Sequence, residues 1–160
     1  MLKGLSYEIL QGDVSTMVGD LVYNTNAVTP GCIFVCIKGA NFDAHDKVAE
    51  IAADGAKAIV VSHDVELPTD QDVTVIRVAD TRYALAFLSA AYFDHPADQM
   101  KIIGITGTKG KTTTTYLVKS ILEHAGYKVG LVGTIEAVIG DVHIPANNTT
   151  PESYVLQSYF

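Results

Sequence analysis

Short apolar runs alternate with polar breaks through the first part of the chain. Asp20 to Tyr23 predicts a short strand, ended by the polar Asn24-Thr25-Asn26 and by Val28-Thr29-Pro30-Gly31, where Pro before Gly is turn chemistry. The β-branched and aromatic run Cys32-Ile33-Phe34-Val35-Cys36-Ile37 predicts a buried strand. After the loop Lys38-Gly39-Ala40-Asn41-Phe42-Asp43, the segment Ala44 to Ala53 carries Val48, Ile51 and Ala52 at i, i+3 and i+4, which predicts an amphipathic helix closed by Gly55. Ala56 to Ser62 and Val73 to Val78 follow as further strands. Strand, helix, strand in this order points to parallel α/β units. No motif is placed on Met1 to Gly19.

Asp80 is a good N-cap for a helix whose Tyr83, Phe87, Leu88, Ala90 and Ala91 recur at helical spacing through Phe93, and His95-Pro96 stops it. The polar stretch Asp94 to Gln99 holds one proline, and the apolar pattern restarts at Lys101. This places a domain boundary near residues 95 to 100, giving domains 1–98 and 99–160. Beyond it the pattern predicts a strand (Lys101 to Thr106), a glycine loop, a helix (Lys111 to Ala125) ended by Gly126, and a strand (Lys128 to Val132). A hairpin turns through Val138-Ile139-Gly140-Asp141-Val142. Pro151 sits where a last helix begins, with Thr150 as its N-cap. That helix presents Val155, Leu156 and Tyr159 over barely three turns before the sequence stops, which reads as a piece of something longer.

Composition narrows the function classes. Hydrophobic residues make up 48% and charged residues 18%, which excludes disorder as the main state. Apolar stretches such as Ala58 to Val61 fall far short of the ~20 residues a membrane helix needs. Met1-Leu2-Lys3-Gly4-Leu5 shows no secretory h-region, so a cytoplasmic chain with no membrane partner is expected. Eleven Lys and Arg against 18 Asp and Glu leave a net charge of −7, which argues against long nucleic acid. A small anion can still be held by a few backbone N–H groups and one or two lysines. Cys32 and Cys36 lie on one predicted strand with Cα atoms roughly 13 Å apart, too far to pair, and read as buried reduced thiols.

Ile103-Gly104-Ile105-Thr106-Gly107-Thr108-Lys109-Gly110-Lys111-Thr112 lies between an apolar run and an amphipathic helix, the context a phosphate-binding loop requires. Glycine is needed at 107 and 110 so that N–H groups can turn inward around phosphate oxygens. Lys111 supplies a point charge for the terminal phosphates, the Thr112 hydroxyl can coordinate Mg²⁺, and the helix N-terminus adds partial positive charge. The general Gly-x4-Gly-Lys-[Ser/Thr] spacing asks for glycine at 105, where this chain has Ile105. Only 48 residues follow Thr112, too few for a whole nucleotide-hydrolysing domain. Glu136 and Asp141, the acidic residues soon after the loop, read as ordinary solvated groups.

Gly107-Thr108-Lys109-Gly110-Lys111-Thr112-Thr113 resembles the Gly-Thr-x-Gly-Lys-Thr-Thr loop of the Mur ligases. Asn148-Thr149-Thr150-Pro151 is similar to a segment of the tripeptide-forming members. Tyr23-Asn24-Thr25-Asn26 with Val28-Thr29-Pro30-Gly31-Cys32-Ile33-Phe34-Val35 resembles a segment of their N-terminal domain, and Gly39 to His45 falls where the family has Gly followed by Asp-Gly-His. Asn24-Thr25-Asn26 stands in place of Asp-Ser-Arg, and Ala44 in place of the glycine before His45.

The resemblance implies an α/β chain: a small UDP-binding domain, then the start of a phosphate-loop ATPase domain. It implies a monomeric ligase of cell-wall precursor synthesis that uses ATP and Mg²⁺. A diamino acid, meso-diaminopimelate or L-lysine, would be joined to UDP-N-acetylmuramoyl-L-alanyl-D-glutamate through an acyl phosphate. By position, Gly107, Thr108, Lys109, Gly110, Lys111, Thr112 and Thr113 would hold the ATP phosphates, with Thr112 on Mg²⁺. Thr25, Asn26, Gly39, His45, Asn148, Thr149 and Thr150 would contact the UDP-sugar. The family's carbamylated lysine, metal-binding glutamate and amino-acid-binding domain have no counterpart in these residues, so the chain alone is expected to be inactive. The alternatives are a non-catalytic module that binds UDP-linked precursors and a small phosphate-loop phosphotransferase.

Overall fold

In a computed structural model that describes residues 1–146, 148 and 150–160, the chain divides into two units, Met1–Asp94 and His95–Phe160. The first holds five strands: β1 (Glu8–Gln11), β2 (Leu21–Val22), β3 (Ile33–Val35), β4 (Ala58–Val61) and β5 (Thr74–Arg77). They form one sheet in the order β1-β5-β4-β3-β2. Strands β2 to β5 are parallel neighbours, as the strand-helix-strand pattern predicts. β1 is added antiparallel to β5, with a register shift between Ile9 and Gln11. The sequence marks no element there, because a four-residue, half-exposed edge strand carries little alternation.

The parallel strands are apolar on both faces, as a sheet covered on both sides requires. Cys32, Phe34, Cys36, Ile59, Val61 and Val75 cluster with Val48, Ile51 and Ala52 of helix α1 (Val48–Ala53). Ile33, Val35, Val60 and Ile76 have the opposite parity and are equally buried. Helix α2 (Thr81–Tyr92) packs on β2 and β3 and buries Ala84, Leu85 and Leu88. Asp80 caps it, accepting from the N–H groups of Arg82 at 2.8 Å and Tyr83 at 3.1 Å. The predicted helix from Ala44 divides into a 3-10 turn, Ala44–Lys47, and α1. Cys32 and Cys36 are buried free thiols. Burial, aided by the nearby charge of Asp43, pushes the Cys36 thiol up to about 12, so it stays uncharged at neutral pH.

The second unit holds helix α3 (Lys111–His124), strands β6 (Leu131–Val132), β7 (Glu136–Ile139) and β8 (Val142–Pro145), and helix α4 (Ser153–Ser158). The hairpin β7-β8 turns at Gly140, φ +59°, inside the predicted segment. Three expectations are corrected. Lys101 to Thr106 forms no strand; it has no ladder partner among the described residues, and Ile102 and Ile103 are 57% and 60% exposed. Apolar β-branched composition favours a strand, but a strand exists only beside another. Lys128 to Val132 contracts to β6, which pairs antiparallel with β7. The last helix starts at Ser153 because Glu152 is extended, ψ 152°, so Thr150 is not its cap and Pro151 precedes it. Among the described residues no helix is long and apolar enough to cross a membrane.

Candidate functional site

In the second unit the loop from Gly104 runs into α3. Gly107 has φ +149° and Gly110 φ +78°, conformations that glycine adopts without a Cβ penalty. These are the two positions where the sequence demands glycine. Gly110 is the N-cap of α3, and no side chain caps the helix. Thr114 N–H reaches back to Gly110 O at 2.9 Å, so the N–H groups of Lys111, Thr112 and Thr113 stand at the open end of the helix. Lys111 Nζ donates to the Gly107 carbonyl at 2.7 Å, folding its charge over the loop. Thr108, Lys109 and Thr113 are exposed and Thr112 is half-buried. The result is a set of N–H donors at a helix N-terminus with one ammonium folded over the loop, suited to a polyphosphate.

Glu136 departs from the solvated residue expected at its position. Its carboxylate accepts from the Tyr116 hydroxyl at 2.7 Å and pairs with His143 Nδ1 at 2.7 Å. These two bonds hold the Glu136 carboxyl below the usual range, and the first raises the Tyr116 hydroxyl. Asp141 remains exposed.

In the first unit, the parallel order of β2, β3 and β4 carries the segments after them to one edge of the sheet. Ligands of open α/β sheets bind outside that carboxyl edge. After β2, Thr25 is half-buried and Asn26 exposed in a 3-10 turn, where Asn24 Oδ1 accepts the Asn26 N–H at 3.0 Å. After β3, the exposed Gly39 donates its N–H to the Phe42 carbonyl at 2.8 Å, closing a tight turn that leaves Phe42 50% exposed. His45 follows, its side chain 1% exposed. Its Nδ1 lies 2.5 Å from Asp43 Oδ1, and its Nε2 accepts the Ser62 N–H at 3.0 Å. The ring stacks on His63 with centroids 4.0 Å apart.

Both ring nitrogens of His45 are thus engaged by groups of the protein itself. The same occupancy argues against a metal centre, although ligating atoms of Asp43, His45 and His63 lie within 4.8 Å of one another. Ser62 and His63 were not singled out from sequence; their one signal is a polar pair directly after an apolar strand. Asn148 and Thr150 are exposed and belong to the second unit, and Thr149 lies outside the described residues.

Asp43 is partly desolvated, which raises its pKa. Hydrogen bonds from the His45 ring and backbone N–H, with Lys38 nearby, outweigh this and leave its carboxyl below the ordinary range. A depressed carboxyl contributes stability that is fully present above its unfolded value of about 4 and is lost as pH falls through the lower folded value. The exchange protection factors of the Ala44 and His45 amides, corrected for the intrinsic rate at each pH, are therefore expected to be unchanged from pH 7 to about 5 and to fall only below about 4. Loosening between pH 5 and 7 would contradict a carboxylate-held turn.

A model of the Mur ligase middle domain matches residues 105–160, from the end of the unpaired apolar run through the phosphate loop and onward. Over all its 160 residues the chain is 46% identical to the UDP-N-acetylmuramoyl-L-alanyl-D-glutamate–2,6-diaminopimelate ligase of Clostridium perfringens, of which it covers 33%. The chain belongs to the Mur ligase family. A ligase of the same description from Geobacillus thermodenitrificans is 44% identical over 140 residues, 88% of this chain and 28% of that protein. Among solved structures, a MurF ligase from Thermotoga maritima in complex with ADP matches with a TM-score of 0.55 at 25% identity, covering 90% of this chain and 29% of that one. This Mur ligase chain thus spans about a third of the length of the curated relatives it matches.

Proposed function

We propose that the chain supplies the UDP-sugar-binding unit and the phosphate loop of an ATP-dependent ligase that extends a peptidoglycan precursor. The observation that carries this reading is the loop itself: two glycines at positive φ, an uncapped 14-residue helix, and Lys111 folded over the Gly107 carbonyl. The similarity to diaminopimelate ligases, and to a structural neighbour in complex with ADP, supports the same chemistry. In this reading Gly107 to Thr113 wrap the ATP phosphates with backbone N–H groups, and Lys111 moves from the Gly107 carbonyl onto the terminal phosphates. The γ-phosphoryl group passes to the D-glutamate γ-carboxylate with release of ADP. The amine of a diamino acid, meso-diaminopimelate or L-lysine, then attacks that acyl carbon and expels phosphate.

Thr112 fits a role at Mg²⁺. It stands in the first turn of α3, half-buried, and among the described residues no protein group takes up its hydroxyl. When bound, the ion neutralises charge on the transferring phosphates. In this reading Thr25, Asn26 and the loop from Gly39 to His45 cradle the uridine end, and Asn148, Thr149 and Thr150 contact the UDP-sugar.

Calorimetric titration tests the reading with two ligands. The 160-residue chain is expected to bind UDP-N-acetylmuramoyl-L-alanyl-D-glutamate and, separately, MgATP, and to form no peptide bond. Stoichiometric ligation by this chain, or binding of neither ligand, would overturn it. Binding of the UDP-sugar without ATP would favour a non-catalytic precursor-binding module.

A further inference from the structure

We propose that His45 is a positioning residue: with Asp43 and Ser62 it forms a buried strut that locks the turn from Lys38 to Asp43 at the carboxyl edge. The turn is held at its base by a β-bridge between Lys38 and Asp43 and by Ala44 N–H to Ile37 O at 3.3 Å. Arg82 adds a bond from α2, donating from Nη2 to Lys38 O at 3.4 Å. These contacts close the turn on itself and on α2. At its far side the His45 ring links the turn to the segment after β4.

Asp43 Oδ1 receives both the backbone N–H of His45 at 3.1 Å and its Nδ1 at 2.5 Å. A carboxylate on Nδ1 fixes that nitrogen as the donor and leaves Nε2 with a lone pair. That lone pair receives the Ser62 N–H, the first backbone amide after β4. His63 covers the ring, and the ring's own burial excludes water. Residues 43, 45 and 62 are thus joined donor to acceptor across the two segments that follow the parallel strands β3 and β4.

Two other chemistries for the same atoms fail on geometry. Ser62 Oγ lies 3.2 Å from Nε2, which together with Asp43 has the order of a nucleophile, base and orienting acid. The Ser62 backbone N–H already occupies the lone pair that a general base would need, so the hydroxyl is not activated. A divalent metal would have to displace either that N–H or the carboxylate, and stacked imidazoles do not converge their in-plane lone pairs on one ion.

What the strut does is hold out the turn's tip. Gly39 to Phe42 carries exposed backbone groups and the half-exposed Phe42 ring, a flat surface able to stack on a nucleobase. An ordered turn binds without first losing its freedom, so loss of the strut costs affinity without removing any group that touches the ligand. This consequence rests on the UDP-sugar reading above; the strut itself does not.

The test uses the 160-residue chain, His45→Ala, and UDP as the probe. Nitrogen-15 imidazole spectra of the wild type are expected to show His45 protonated on Nδ1 and bare on Nε2; an Nε2-protonated ring overturns the strut, whether or not the variant folds. In His45→Ala, exchange at the Ser62 and Gly39 amides is expected to rise about 10-fold or more, and UDP to bind about 10-fold more weakly, with β4 amides unchanged. Added imidazole is expected to restore both. Unchanged exchange in the variant, or joint shifts of His45 and His63 with stoichiometric Zn²⁺, overturns the proposal. If wild-type chain ignores UDP, the UDP-sugar reading fails, while the exchange and nitrogen spectra still decide the strut.

Discussion

Replacing Lys111 with Ala is expected to weaken ATP binding roughly 30- to 150-fold, the loss of one or two charge-assisted bonds to phosphate. The side-chain ammonium of Lys111 is tied to the loop itself through the 2.7 Å bond to the Gly107 carbonyl. The backbone N–H groups at the open end of α3 remain in the variant, so residual binding is expected and complete loss is not. Binding of UDP-N-acetylmuramoyl-L-alanyl-D-glutamate should be largely intact, since the uridine end of that site is assigned to the first unit. The same substitution at the equivalent lysine of a full-length relative, such as the diaminopimelate ligase of Clostridium perfringens, is expected to abolish peptide-bond formation. Titration of each ligand against both chains checks it. Equal loss of both ligands would show that the two sites are not separable, and unchanged ATP affinity would remove Lys111 from the phosphate site.

Phe34→Ala is expected to destabilise the first unit by about 3–5 kcal/mol. Phe34 is wholly buried at the centre of β3, between Leu21–Val22 on one side and Ala58–Val61 on the other, in the cluster that α1 covers. Removing its ring leaves a cavity that neighbours as constrained as Ile59, Val75 and Ile51 cannot fill. A unit of this size has about 5–15 kcal/mol in total, so the variant approaches the unfolding threshold at room temperature. Urea unfolding followed by circular dichroism should show a lower midpoint with an unchanged slope. A shift equivalent to less than about 1 kcal/mol would mean that the β3 core relaxes around the gap.

The phosphate loop was legible from residue order because everything it needs is local. Positive φ at Gly107 and Gly110, a lysine and a hydroxyl at the head of a helix, and the helix that follows all lie within a few residues of each other, and each requires a particular residue type. The helices were legible for the same reason: the caps at Asp80 and Gly55 and the spacing of Val48, Ile51 and Ala52 act over one or two turns. Parallel pairing of β2 to β5 also followed from element order, since strands joined by a crossing helix have few alternatives.

Where sequence reading failed, the deciding contacts join distant residues. β1 was missed because it is held by Arg77 and its neighbours, 69 residues away from Glu8. Lys101 to Thr106 has the composition of a strand and no neighbour to pair with, and composition alone cannot supply the ladder. Glu136 looks like a surface carboxylate until Tyr116, 20 residues earlier, and His143 close around it. The bonds of His45 show the same dependence: the link from Asp43 through its ring to Ser62 joins loops that only the packing brings together. The sequence by itself therefore determined the glycine loop ahead of α3, the place of the longer helices and the parallel order, all of which depend on short-range spacing or chain direction. Only the tertiary structure decided which polar groups bond to each other, because a buried hydrogen bond is made by whatever the packing brings within about 3 Å.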